Sequence, residues 1–158
     1  MHWREPWPES MAISVRRATS SDRETCVRLL TAQLVEHELP ADPAGIAAGV
    51  DLALAPQSPA WLLLAEMDST AVGIILANQI VSVEKCGYTL WIEELYVVPQ
   101  ARRRRVASAL LDDLVAEGRR HGVRAIELEV VPTQAAAFAL YRTRGFRDVD
   151  RHRMTWNL

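Results

Sequence analysis

The alternation of apolar and polar residues divides the chain into a succession of short elements. Ala12 to Arg17 alternates around Ile13 and Val15 and predicts an edge strand. Ser21 and Glu24 follow in the S-x-x-E spacing of a capping box. Cys26, Leu29, Leu30 and Leu34 then recur every three or four residues, which predicts a helix ending near Glu38. Asp42 before Pro43 opens a second, Ala-rich helix that ends before Pro56. Residues 61–66, 71–81 and 88–98 read as strands of an antiparallel meander, separated by turns at Asp68-Ser69 and Lys85-Cys86-Gly87. A helix from about Arg105 to Arg120 carries apolar rows Val106, Leu110, Leu114 and Ala107, Leu111, Val115, with Gly122 as its C-cap. A strand over 125–131, a short helix from Thr133 to Arg144 and a last strand from Arg151 to Trp156 complete the order β-α-α-β-β-β-α-β-α-β. Such an order specifies a mixed α/β sandwich.

Composition adds limits. With 158 residues and 49% apolar side chains, one domain over 12–158 can bury a core without disulfides or a structural metal. Residues 1–11, with His2, Trp3, Trp7 and two prolines, read as a loose N-terminal arm, not a secretory signal. Cys26 and Cys86 have no CxxC spacing, which fits a reducing, cytoplasmic setting. Apolar runs fall short of the roughly 20 residues of a membrane span, so the expectation is a soluble protein with no membrane partner.

Charge is distributed unevenly. Residues 1–98 hold 6 basic and 13 acidic side chains, and residues 99–158 hold 12 basic and 7 acidic, although the net charge is only -2. A basic C-terminal portion suits an anionic ligand and an acidic N-terminal portion a cationic one, if these charges converge in space. The run Arg102 to Arg105 lies just before a helix, whose N-terminus offers unpaired N–H groups and partial positive charge to a phosphate. The same run also reads as a solvated basic turn or a nucleic-acid patch. No aromatic residues interleave it, and the net charge is negative, so no nucleic-acid partner is expected. Adjacent carboxylates Glu93 and Glu94 sit mid-strand, where alternation sends them to opposite faces. His2, His37, His121 and His152 have no metal-ligand spacing, and no metal is expected.

The segment LWIEELYVVPQARRRRVASALLDDL resembles the cofactor-binding motif of GNAT acetyltransferases: strand, phosphate-binding turn, helix. Downstream, TQAAAFALYRTRGF is similar to the family's second signature, here Ala137, Leu140, Tyr141, Gly145 and Phe146. In the family the turn reads R-x-x-G-x-G/A. Arg102 and Ala107 match, while Arg105 and Arg103 stand where glycines are common.

The resemblance implies a GNAT-type, mostly antiparallel sheet flanked by helices, and direct acetyl transfer from acetyl-CoA to a primary amine of a small molecule or peptide, as in the diamine and small-amine branch. It implies that Arg102, Arg103, Arg104, Arg105, Val106, Ala107 and Ser108 hold the pyrophosphate. It also implies that the backbone of Tyr96, Val97 and Val98 pairs with pantetheine and that Gln134 bonds the pantetheine arm. Glu93 would help deprotonate the amine and Glu94 hold the substrate, an assignment open to exchange. Tyr141 would be the general acid at the leaving thiolate. Glu36 and Glu38, at the end of the first helix, would recognise a second positive group on the acceptor, or form a solvated helix end. A homodimer is compatible with all of this, and a non-catalytic module binding CoA or a protein is the alternative.

Overall fold

The computed structural model of the protein describes residues 11–158, so the arm expected over 1–11 lies, apart from Met11, outside the described residues. β1 (Ile13–Arg17) leads through a short 3-10 turn into α1 (Arg23–Glu36). The cap at this entry is two residues earlier than Ser21 and Glu24 suggest: the Thr19 N–H donates to Asp22 Oδ2 at 2.8 Å, and the Asp22 N–H donates to Thr19 O at 2.9 Å. α2 (Pro43–Leu54) begins as its sequence dictates, with Asp42 accepting from the N–H groups of Ala44 and Gly45.

β2 (Ala60–Met67), β3 (Thr70–Ser82) and β4 (Gly87–Val97) form the meander, and β1 pairs antiparallel with β2. α3 (Val106–Arg120) crosses over to β5 (Ala125–Leu128), which pairs parallel with β4 and leaves the strand order β1-β2-β3-β4-β5. α4 (Ala135–Thr143) follows. The strand expected over 151–156 is not formed. That stretch has too little apolar alternation at Arg151, His152 and Arg153 to bury a face, and the arginines pair with Glu84 and Glu129 at 2.8 Å instead. Met154, Trp156 and Leu158 stand exposed.

Two apolar layers clamp the sheet. Leu110, Leu111 and Leu114 of α3 pack with Leu63, Ile75, Leu90 and Ile92 on one face. Cys26, Leu29 and Leu30 of α1 and Val50 of α2 pack with Leu62, Leu64, Ile74 and Tyr96 on the other. Each fully buried Leu or Ile contributes about 1.5–3 kcal/mol, so α3 is fixed along its length and its N-terminus is held rigidly at the end of β4. Gly73 permits this approach. A Cβ there would lie 3.0 Å from Val106 Cγ1 and 3.2 Å from Tyr96 O.

Candidate active site

The acidic pair owes its placement to a β-bulge. Leu76 pairs with Glu94 and Ala77 with Ile92, so Glu93 is an extra residue in β4. Leu90 and Ile92 face α3 before the bulge, and Leu95 and Val97 face it afterwards. The side-chain parity therefore switches, and Glu93 and Glu94 both fall on the α1 face. This corrects the expectation of opposite faces, which holds only for an unbroken strand.

Glu94 is half-buried and accepts a hydrogen bond from Gln33 Nε2 of α1. Burial, reinforced by the neighbouring Glu93 charge, raises its pKa, and the Gln33 bond opposes the shift. Glu93 is exposed, with Arg153 at 3.9 Å. Gln33 is a functional candidate that sequence reasoning missed. It continues the Cys26, Leu29, Leu30 row by one helical step, so the periodicity was legible but its polar identity masked it.

At the end of β4 the chain turns through Pro99–Ala101 into residues 102–105. Arg103 has φ 59° and Arg105 φ 66°, the left-handed region that favours glycine. The backbone thus adopts the shape of a glycine turn with arginines in place, both side chains reaching solvent. The Ala109 N–H closes the first helical bond, to Arg105 O at 2.9 Å. The N–H groups of Val106, Ala107 and Ser108 consequently have no partner within the helix. Arg102 is committed elsewhere: its guanidinium donates to both Glu36 oxygens at 2.7 and 2.6 Å and to Val97 O at 3.0 Å. The expected phosphate ligand and the expected acceptor-site carboxylate are thus partners of each other. Glu38, at φ 56° just past α1, is exposed and does not join them.

β5 pairs with β4 only from Thr89 to Ile92, and beyond that point the two strands part. The Val98 N–H donates to Val72 O at 2.9 Å. Antiparallel alternation then turns the main-chain groups of Tyr96 toward β3 as well, and those of Leu95 and Val97 toward the open edge. Of Tyr96, Val97 and Val98, only Val97 therefore lies on the edge an added strand would use, and Leu95 joins it. The Tyr96 ring is buried under α1, with the Arg102 guanidinium 5.7 Å from its centre.

Tyr141, on α4, packs edge-on to Phe146 at 5.5 Å, and burial pushes its phenol up to about 12. Gln134 is the N-cap residue of α4 but makes no side-chain capping bond. A cavity of about 840 Å³ lies between β5, α4 and the chain after Gly145, with Trp91, Phe138 and Tyr141 in its wall. It does not reach residues 102–108.

Comparison with known proteins decides what this arrangement belongs to. The profile of the Acetyltransferase (GNAT) family matches residues 7–146. The chain belongs to the GNAT acetyltransferase family. No curated protein matches it. Among solved structures it is similar to a possible acetyltransferase from Clostridium difficile 630, with TM-score 0.82, 20% identity, and 92% of this chain and 97% of that one covered. An aminoglycoside N-acetyltransferase in complex with CoA gives TM-score 0.79 at 19% identity, covering 96% and 98%. A predicted acetyltransferase with acetyl-CoA from Clostridium acetobutylicum gives 0.76 at 20%, covering 92% and 96%. At these identities the likeness establishes the GNAT fold. Among the described residues no helix is long and apolar enough to cross a membrane.

Proposed function

We propose that this GNAT domain transfers an acetyl group from acetyl-CoA directly to a primary amine of a small molecule or peptide. The observation that carries the reading is the parting of β4 and β5 directly beside the left-handed turn and the open N-terminus of α3. The residues present fit the cofactor. Leu95 and Val97 offer main-chain groups to an extended amide arm. Val106, Ala107 and Ser108 offer N–H groups to a pyrophosphate, and Arg103, Arg104 and Arg105 supply positive charge around it.

Acetyl-CoA supplies a thioester carbonyl and a thiolate leaving group. The acceptor arrives as an ammonium ion, which the Glu93 and Glu94 carboxylates attract and relieve of one proton. The freed nitrogen pair forms the C–N bond, the C–S bond breaks with its electrons staying on sulfur, and the nitrogen sheds its second proton to solvent as the neutral amide forms. Tyr141 faces that step as a donor. Burial holds its phenol protonated, so it donates a hydrogen bond to the developing thiolate, gives it the proton as general acid, and is reprotonated from solvent. Gln134, with its amide uncommitted to the cap, serves the pantetheine arm, and Glu38 stays available to a second cationic group.

The test is thiol release from acetyl-CoA against amines graded by charge. Turnover should favour cationic amines, and Tyr141→Phe should lower kcat about a hundredfold or more with acetyl-CoA affinity within about twofold of wild type. Unchanged kcat would remove Tyr141 from the mechanism. The Arg102–Glu36 pair, which occupies the turn's matching arginine, favours one other reading, a module that binds CoA without transfer. Calorimetric binding of acetyl-CoA without thiol release from any amine would establish that reading instead.

A further inference from the structure

We propose that Gln33 is a positioning residue for Glu94, and that Glu94 rather than Glu93 takes the proton from the acceptor ammonium. This rests on the amine-acetylation reading above.

Gln33 is 5% exposed on the inner face of α1, in line with Cys26, Leu29 and Leu30. An amide in such a row destabilises the fold unless it is hydrogen-bonded. Here it is only half satisfied: Nε2 donates to Glu94 Oε2, while the enclosed Oε1 has no partner. A residue kept for packing alone would be apolar, and one kept only to hold a carboxylate would have no reason to bury an idle acceptor. An amide has a property that fits both facts. Its N–H groups serve a carboxylate, and half a turn about its last torsion presents oxygen to a carboxylic acid. The two ends are nearly equal in size, so the exchange needs no repacking. Gln33 thus gives Glu94 a partner before and after it accepts a proton.

Glu93 lacks this arrangement. It is exposed, its contact with Arg153 is long at 3.9 Å, and no bond from α1 reaches it. The groups around Glu94 are few. Gln33 faces it from α1, Leu76 of β3 opposite is apolar, and Glu93 is its charged neighbour on β4. Farther along α1, Glu36 is engaged with Arg102, and both it and Arg28 act on Tyr96. The proton step balances: the ammonium gives one proton to a Glu94 oxygen, the nitrogen keeps its electron pair, and Glu94 later returns the proton to solvent.

The experiment combines NMR with pH-rate profiles. In the wild type the Glu94 carboxyl carbon and the Gln33 side-chain amide should titrate with one common midpoint, matched by the acid limb of kcat/KM. Gln33→Met keeps the volume and removes both polar ends. It should move the midpoint and the acid limb up by about one pH unit, a tenfold loss of kcat/KM on the acid side, while the alkaline plateau is retained. Glu94→Gln should abolish the limb, and Gln33→Met added to it should shift nothing further. The wild-type titrations need no variant to fold, and Gln33→Asn, which withdraws the amide by one methylene, should shift the limb in the same direction. A Gln33 amide that ignores the Glu94 titration in an active enzyme, or an acid limb removed by Glu93→Gln and untouched by Gln33→Met, overturns the assignment. Coincident titrations with no turnover on any amine overturn the acetylation reading, and with it the role of Glu94 as base.

Discussion

Arg103 and Arg105 hold their backbones where a β-carbon crowds the following carbonyl, at a cost of roughly 1–2 kcal/mol each. Glycine removes that strain but returns about 0.5–1 kcal/mol of freedom to the unfolded chain. The double variant Arg103→Gly, Arg105→Gly should therefore gain about 1 kcal/mol, seen as a higher urea midpoint at unchanged slope. It should also bind CoA less tightly at low salt, because two cations leave the turn. The same residues show what a sequence reveals at this scale. The matching positions of the turn were legible from the order of residues, and the need for positive φ followed from the glycines they replace. Gln33 and Leu95 were not legible. A lone amide in an apolar row carries no sign of what lies across from it, and the edge to which a main-chain group points depends on pairing that spacing does not record.

Among the elements, the entry to α1 is a junction of charges. Arg16 of β1 donates to both Asp22 oxygens, at 2.9 and 2.8 Å, and to Glu66 of β2. These bonds hold the Asp22 carboxyl well below the usual range. A depressed carboxylate contributes stability that is whole above its unfolded value of about 3.9 and is lost as pH falls toward the folded one. Asp22→Asn should cost about 1–2 kcal/mol at neutral pH, and its deficit should shrink as pH drops below about 4 in urea unfolding series. The elements themselves were largely visible beforehand. The meander followed from alternation, and α3 from two apolar rows that now meet the sheet. The bulge at Glu93 left no trace, since one added residue does not disturb a run already rich in apolar side chains. The absent last strand was misread because Met154 and Trp156 imitate an alternating face that nothing covers.

For the whole molecule, the acidic and basic portions of the sequence do meet, at the contact of Glu36 with Arg102. Their union ties the end of α1 to the turn that precedes α3, so on the proposed reading the acceptor side and the cofactor side would share one fixed point. Ligand linkage should be visible in stability. CoA at about a hundred times its Kd should add about 2.7 kcal/mol and raise Tm by roughly 5–10 °C in a chain of this size. No shift with CoA would contradict a cofactor site on this edge.

The short ladder from Thr89 to Ile92 gives that linkage a mechanical form. Only four rungs of main-chain pairing join β5 to β4, while β3 and β4 share a far longer seam, and apolar packing of Ile126, Leu128, Leu140 and Tyr141 supplies the rest of the attachment. The β5 half is then a clasp on a narrow fastening, and a chain lodged beyond Ile92 would act as its pin. Pulling β5 away should be easy in the empty protein and hard in the loaded one. The paired amides of Ala125 to Leu128 should exchange faster than those of the β3–β4 seam in the empty protein, and slow more sharply when the pin enters.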